Sequence, residues 1–568
     1  MNLIPMPKKV EARSGIVTKR AIQKYNGDID YRVKRLLEEL PTDDGGLTLS
    51  FNVGDSKSES YKLELGQDEV KITANGPKGA FYAVETLRQL LFEDELPCLV
   101  IEDEPDFKYR GFYHDVTRGK VPKLETLKRL VDTLAYYKLN SLQLYVEHTY
   151  EFKECAPLLE RCGYLTASEL RELDEYCRER FIDFIPSIST FGHMYEILEL
   201  DEYKKLRAIS DFTPSSNEWL ERMRHHTINP LKSESFDLVS SLIDQYAENF
   251  TSEYFNICGD ETFDLKDFAE KSSGKLDEGE LYIDFIKKII SHVSSKGKKI
   301  MMWGDILLHH PERIDDLPAD TLFLNWDYAK EPNEENVKVF AKSGRQQIVC
   351  PGTSTWNKLS ENISVSEGNI TKMAEYGFKH GAVGLLNTNW GDWGNPCPLE
   401  LALYGLVLGA EKSWSAESVI DNEYYKRASM VIYGDASGVE LIKRVGDMYC
   451  DGTWSGLLMA YCSLRAGEEF TPVKVSPSEL TRVQNEYVSL TEIIGTSGIR
   501  AEIKEEMLLA VEGMCLITEL LASLSDKNVK RLTNAYRYTE KFSEAWLKKN
   551  KKSELSRLCD LFEYVENL

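Results

Sequence analysis

The sequence predicts an α/β protein built on a (β/α)8 TIM barrel, preceded by a small α/β domain and followed by a helical domain. Eight short apolar runs alternate with helical patterns from residue 107 onward, and the ends of those runs collect acids and aromatics. Beyond about residue 420 only a helical period persists, kept over roughly four turns by Ile499, Ile503, Met507, Val511 and Met514. At 568 residues the chain exceeds one ordinary core, and the pattern divides it into 1–104, 105–420 and 421–568.

In the first segment, 47–53 and the alternating Tyr61-Leu63-Leu65 and Val70-Ile72-Ala74 read as half-buried strands, and 79–92 carries a helical period. The acidic turn Glu102-Asp103-Glu104-Pro105-Asp106 marks the boundary. The barrel strands fall at 109–116, 141–147, 183–189, 253–259, 298–305, 321–327, 345–352 and 382–390. Helices are expected at 123–138, 167–180, 278–296, 334–342, 366–378 and 399–414. In the tail, the basic run Lys548-Lys549-Asn550-Lys551-Lys552 reads as a solvated loop.

A net charge of −24 and a pI near 5.0 exclude nucleic acid and anionic membrane as natural partners, because both repel such a surface. A small neutral substrate fits better, and nothing in the sequence sets the oligomeric state. The start, Met-Asn-Leu-Ile-Pro-Met-Pro-Lys-Lys, has no long apolar stretch, and no run of about 18 uninterrupted apolar residues suggests a membrane span. A cytoplasmic location is expected. Eleven cysteines without paired metal-ligand spacing read as reduced thiols, so no metal or cofactor is expected.

In a barrel of this kind the chemistry lies at the carboxyl ends of the strands. There the fourth strand runs through Gly259 into Asp260 and Glu261. Neighbouring strand residues point to opposite faces, so two adjacent acids serve one pocket only where the strand breaks, as the glycine suggests. Like charges this close disfavour one another, which helps keep one acid protonated as a proton donor. The other strand ends hold Arg110, His114, Asp115 and Arg118; Glu147 and His148; His193; Trp303 and Asp305; Trp326 and Tyr328; Trp356; Trp390 and Asp392. Arg110 lies near its strand's start. Indoles interleaved with carboxylates suit a sugar, whose apolar face stacks while its hydroxyls take charged hydrogen bonds. Any one tryptophan packs a core equally well, but three at equivalent strand ends favour a pocket.

These residues carry a resemblance. Tyr109-Arg110-Gly111 through Asp115, Cys258-Gly259-Asp260-Glu261 and Trp390-Gly391-Asp392 resemble glycoside hydrolase family 20, the β-N-acetylhexosaminidases. The similarity extends upstream through Leu3-Ile4-Pro5-Met6-Pro7, Gly79 to Tyr82 and Thr86 to Leu90, and covers roughly residues 1–415. It implies exo-acting removal of terminal β-GlcNAc or β-GalNAc from oligosaccharides by substrate-assisted catalysis through an oxazolinium ion. It further implies that Glu261 is the general acid and base and that Asp260 orients the acetamido N–H. Arg110 would grip the C3 and C4 hydroxyls, and Asp392 the C4 or C6 hydroxyl. Trp303, Trp326 and Trp390 would wall the pocket, and His193 would support the acid.

The chain departs from the family pattern in three places. Glu147-His148 stands where many members have Asp-Asp-Gln, making Glu147 the candidate partner of His193. No tyrosine follows strand seven, where Thr353-Ser-Thr-Trp356 stands, and Tyr328 is the candidate replacement for holding the acetamido carbonyl. Asp392 is one methylene shorter than the usual glutamate. Two other readings compete with the glycosidase. One is a metal-dependent barrel hydrolase using His114, Asp115, His148, His193 and Asp260, against which the adjacency of His114 and Asp115 speaks. The other is a sugar-binding barrel without catalysis.

Overall fold

The computed structural model describes residues 1–212, 214–224, 226–272, 276–448 and 452–568. The first segment forms a six-stranded sheet from β1 (Lys9–Val17), β2 (Ile22–Asn26), β3 (Leu47–Val53), β4 (Tyr61–Leu65), β5 (Glu69–Ala74) and β6 (Leu96–Asp103), in the order β1-β6-β4-β5-β3-β2. The outermost strands, β1 and β2, escape a reading by alternation because they are largely exposed on both faces. The helix Pro77–Leu90 lies between this sheet and the barrel and is buried almost all round. Its Phe81 meets Phe181 of the barrel edge-on at 5.4 Å.

The barrel strands are β7 (Tyr109–Asp115), β8 (Ser141–Tyr145), β9 (Asp183–Ile185), β10 (Tyr254–Asn256), β11 (Lys299–Trp303), β12 (Leu322–Trp326), β13 (Gln347–Cys350) and β14 (Gly384–Asn389). Neighbours pair in parallel from β10 round to β9. The circle closes where Asn256 N–H donates to the Pro186 carbonyl at 2.8 Å. All eight strands stand where the sequence places them, each ending earlier than expected. In β9 and β10 the regular ladder stops before His193, Asp260 and Glu261, because His193 and Glu261 need backbone shapes a strand does not offer. Tyr113, Tyr145, Met301, Trp303, Leu324 and Trp390 pack together in the barrel interior.

The tail is helical, as the period predicts. The helix Ala501–Ser525 is long and apolar enough to cross a bilayer by length and composition, yet most of it is buried within the protein. It packs against the helices Thr453–Ala466, Pro477–Thr496 and Ala535–Lys549. The basic run is not a solvated loop. Lys549 pairs with Glu400 at 2.8 Å and Glu506 at 2.5 Å, and Lys551 with Glu169 at 2.7 Å. Two of its lysines therefore fasten the tail, one to the segment that follows β14 and one to the helix Ala167–Arg178. Ten cysteines are unpaired, and Cys450 lies outside the described residues.

Candidate active site

The β10 strand ends in strained backbone. Cys258, Gly259 and Glu261 have φ of +54°, +82° and +47°, a region that L side chains enter at a cost of order 1–3 kcal/mol each. The distortion turns consecutive carboxylates toward one place. Tyr282 Oη donates to the Gly259 carbonyl at 2.8 Å, and Asp305 Oδ2 accepts from Glu261 N–H at 3.0 Å, holding the turn from behind. Burial and the Asp260 charge push the Asp305 carboxyl up to about 7. Gly192 completes the junction, since a Cβ there would lie 2.3 Å from the Asp260 carbonyl oxygen.

That close approach delivers His193, itself at φ +56°. Its Nε2 stands 3.4 Å from Asp260 Oδ2 and 3.1 Å from Glu261 Oε2. The other Asp260 oxygen, Oδ1, is buried and accepts no hydrogen bond from the described residues. Burial disfavours a charged imidazole, but the Asp260 charge and the hydrogen bonds to Asp260 and Glu261 prevail and raise His193 to about 10. A raised histidine pKa adds stability that is full below its unfolded value, about 6.5, and is lost as pH climbs through about 10. The melting temperature of wild type should therefore exceed that of His193→Asn most at pH 6, with the gap closing toward pH 10. A gap constant across that range would rule out the charged imidazole.

The pocket mouth is lined by Arg118, His193, Met223, Asp260, Glu261, Trp303, Trp326, Tyr328, Trp356, Trp390 and Asp392, around about 530 Å³. Tyr328 stacks on Trp326 at 5.1 Å and receives the Trp390 indole N–H at 2.8 Å. Trp303 lies at the inner wall, 5.9 Å from Trp390. Arg118 bonds Asp392 at 2.5 Å and lies over the Trp390 ring. Burial opposes its charge, but Asp392, Tyr145, Glu147 and Asp115 more than offset this and raise its pKa. Glu147 sits behind the wall, accepting from Tyr145 Oη at 2.9 Å and lying 3.4 Å from Arg118 Nε. Its distance to His193 Nδ1 is 4.0 Å, so Arg118 is the nearer partner.

Nine of the ten expected site residues gather at this end of the barrel. Arg110 does not. It starts β7 at the opposite end of the barrel, fully buried, where it donates to Glu59, Tyr82 and the carbonyls of Phe107 and Lys138. Five residues of strand separate its Cα from the rim, roughly 17 Å. Arg118, just past the strand's carboxyl end, takes the place expected of it. The rim rule alone would have preferred Arg118, whereas nothing in the sequence announces Met223, which arrives on the long connection after β9. The proposed metal set also disperses. His114 bonds Asn389 at 2.9 Å, and both ring nitrogens of His148 are buried with no hydrogen-bond partner among the described residues. Only His193, Asp260 and Glu261 bring ligand atoms within 4.8 Å of one another among the described residues.

Residues 107–427 match the model of the glycosyl hydrolase family 20 catalytic domain, and residues 1–104 match that family's domain 2. The chain belongs to glycosyl hydrolase family 20. Within the family, a beta-hexosaminidase of Porphyromonas gingivalis is 29% identical over 286 residues, covering 44% of this chain and 36% of that one. The first curated relatives are matched over 36%, 52% and 66% of their own lengths, so the chain spans about a third to two thirds of them. Among solved family 20 structures, a Flavobacterium johnsoniae chitobiase aligns over 99% of both chains, with a TM-score of 0.60 at 18% identity. An exo beta-N-acetylglucosaminidase of Vibrio harveyi, in complex with N-acetylglucosamine, aligns over 75% of this chain and 76% of its own, with a TM-score of 0.60 at 22% identity. Those two likenesses show the fold.

Proposed function

We propose that the protein is an exo-acting β-N-acetylhexosaminidase that removes terminal β-GlcNAc or β-GalNAc from small oligosaccharides by substrate-assisted hydrolysis. The observation that carries the reading is the buried, donor-less Oδ1 of Asp260 beside Glu261 in an aromatic box. A buried carboxylate oxygen without a donor is costly, and a substrate N–H in that position removes the cost. An acetamido group supplies that donor.

With Asp260 holding the N–H, the acetamido carbonyl is aimed at C1. Its oxygen attacks, the C1–O bond to the leaving group breaks, and Glu261 gives its proton to the departing oxygen. The product is an oxazolinium ion and a carboxylate at Glu261, which then takes a proton from water as the water opens the ring. His193 bonds both acids and keeps them in register. Tyr328 receives a hydrogen bond from Trp390 and also bonds Thr388, and this reading assigns its O–H to the acetamido carbonyl when the sugar is bound. Arg118 and Asp392, tied together at the rim, are the groups that read the ring hydroxyls.

Hydrolysis of p-nitrophenyl β-GlcNAc, β-GalNAc and β-glucoside should be compared with and without a thiazoline mimic of the oxazoline, and with a chelator. Cleavage of only the acetamido sugars, blocked by the thiazoline and indifferent to the chelator, is the expected pattern. Cleavage of the glucoside would require a protein nucleophile, loss of activity with the chelator would revive a metal at His193, Asp260 and Glu261, and no cleavage at all would leave a binding protein.

A further inference from the structure

Both family matches end by residue 427, leaving the helical tail outside them. The tail nonetheless reaches the site. Its segment 549–554 lies along the loop that leaves β7 and pairs with it as a strand would. Lys123 N–H donates to the Lys549 carbonyl at 3.0 Å, Lys551 N–H to Val121 at 2.8 Å and Glu554 N–H to Gly119 at 3.3 Å, while Val121 N–H donates to Ser553 Oγ at 3.1 Å. Gly119 directly follows Arg118, the cation of the pocket.

The same segment carries a second connection. The Glu554 side chain is 3% exposed and accepts both terminal nitrogens of Arg222, at 3.2 and 2.5 Å, with Arg557 at 2.9 Å on the same carboxylate. Arg222 also pairs with Glu196, buried three residues beyond His193 in chain order and held in turn by Arg161 at 2.5 Å. Arg222 ends a short helix, and the next residue, Met223, lines the pocket. One residue of the tail thus touches both segments that line the sugar pocket: its backbone N–H meets the loop behind Arg118, and its buried carboxylate holds the short helix that delivers Met223. A fork of this kind fixes orientation as well as distance.

We propose that Glu554 is a positioning residue of the sugar site, and that the tail is part of the binding apparatus rather than an appended packing domain. The inference rests on the hexosaminidase reading for its substrate, but its geometry does not. Loosening the Arg222 helix, and with it Met223, should weaken sugar binding while leaving the Asp260 and Glu261 dyad in place.

The test uses Glu554→Ala and Glu554→Gln in the full chain. Lys541→Ala, which removes the Lys541–Glu512 pair internal to the tail, is the control. For Glu554→Ala, KM for p-nitrophenyl β-GlcNAc and Ki for the thiazoline should rise about tenfold or more, with kcat changed far less. Gln, which still offers one acceptor oxygen, should recover part of the loss, and Lys541→Ala should leave both constants at wild-type values. Amide exchange across 217–224, the helix that the carboxylate holds through Arg222, should quicken in the Glu554 variants alone. Wild-type KM, Ki and exchange in Glu554→Gln and Glu554→Ala would overturn the proposal, as would a fall in melting temperature with those constants unmoved. Should Glu554→Ala fail to fold, Glu554→Gln decides by the same readouts. If wild type cleaves no acetamido glycoside, the functional reading fails, and the exchange measurement still decides the positioning role.

Discussion

Glu261→Gln is expected to lower kcat on an oligosaccharide substrate by at least about a hundredfold, because it removes the proton that the leaving oxygen needs. The change is nearly isosteric, and the amide oxygen still accepts from His193 Nε2, now 3.1 Å from Glu261 Oε2, so the fold and KM should change little. The loss should depend on the leaving group. A p-nitrophenolate departs with little protonation and should suffer least, whereas a sugar alcohol should suffer in full. Added azide, which needs no base, should restore turnover of the activated substrate and yield the β-glycosyl azide. Unchanged turnover of both substrates would remove Glu261 as the acid.

Asp260→Asn tests the other acid, with an expected loss of about a hundredfold to a thousandfold in kcat, the range seen when one preorganised electrostatic partner is removed. Asp260 Oδ1 is buried and has no donor among the described residues, so the charge stands ready for an N–H that acquires positive character as the ring closes. An amide in its place supplies no such charge, and its NH2 can turn toward the substrate N–H. Affinity for the thiazoline, which resembles the closed ring, should fall much further than affinity for free GlcNAc. Equal losses for the two ligands would assign Asp260 to ground-state binding alone.

The barrel is legible in the sequence because strands buried on both faces are written as continuous apolar runs, and helices between them keep their period. The edge strands of the first domain are not, because exposed strands carry no such pattern. The acids are legible from Gly259 and the strand end, and the tryptophans from their recurrence at equivalent places. Arg110 and Arg118 share one strand and its loop, and only their distance along it separates a buried strut from a pocket cation. Met223 and Glu554 are invisible to any local reading. Glu554 and Arg222 stand 332 residues apart, and the bond between them exists only once the chain has folded.

Arg110 belongs to the barrel by sequence, yet its guanidinium is neutralised by Glu59 of the first domain at 2.6 Å and roofed by Trp414 at 5.0 Å. A buried cation deprived of its counter-ion costs of order 3–5 kcal/mol, a large fraction of a typical domain's stability. The boundary between the first hundred residues and the barrel is thus an electrostatic seam, and a change at Glu59 that leaves Arg110 covered would be felt as instability of both sides.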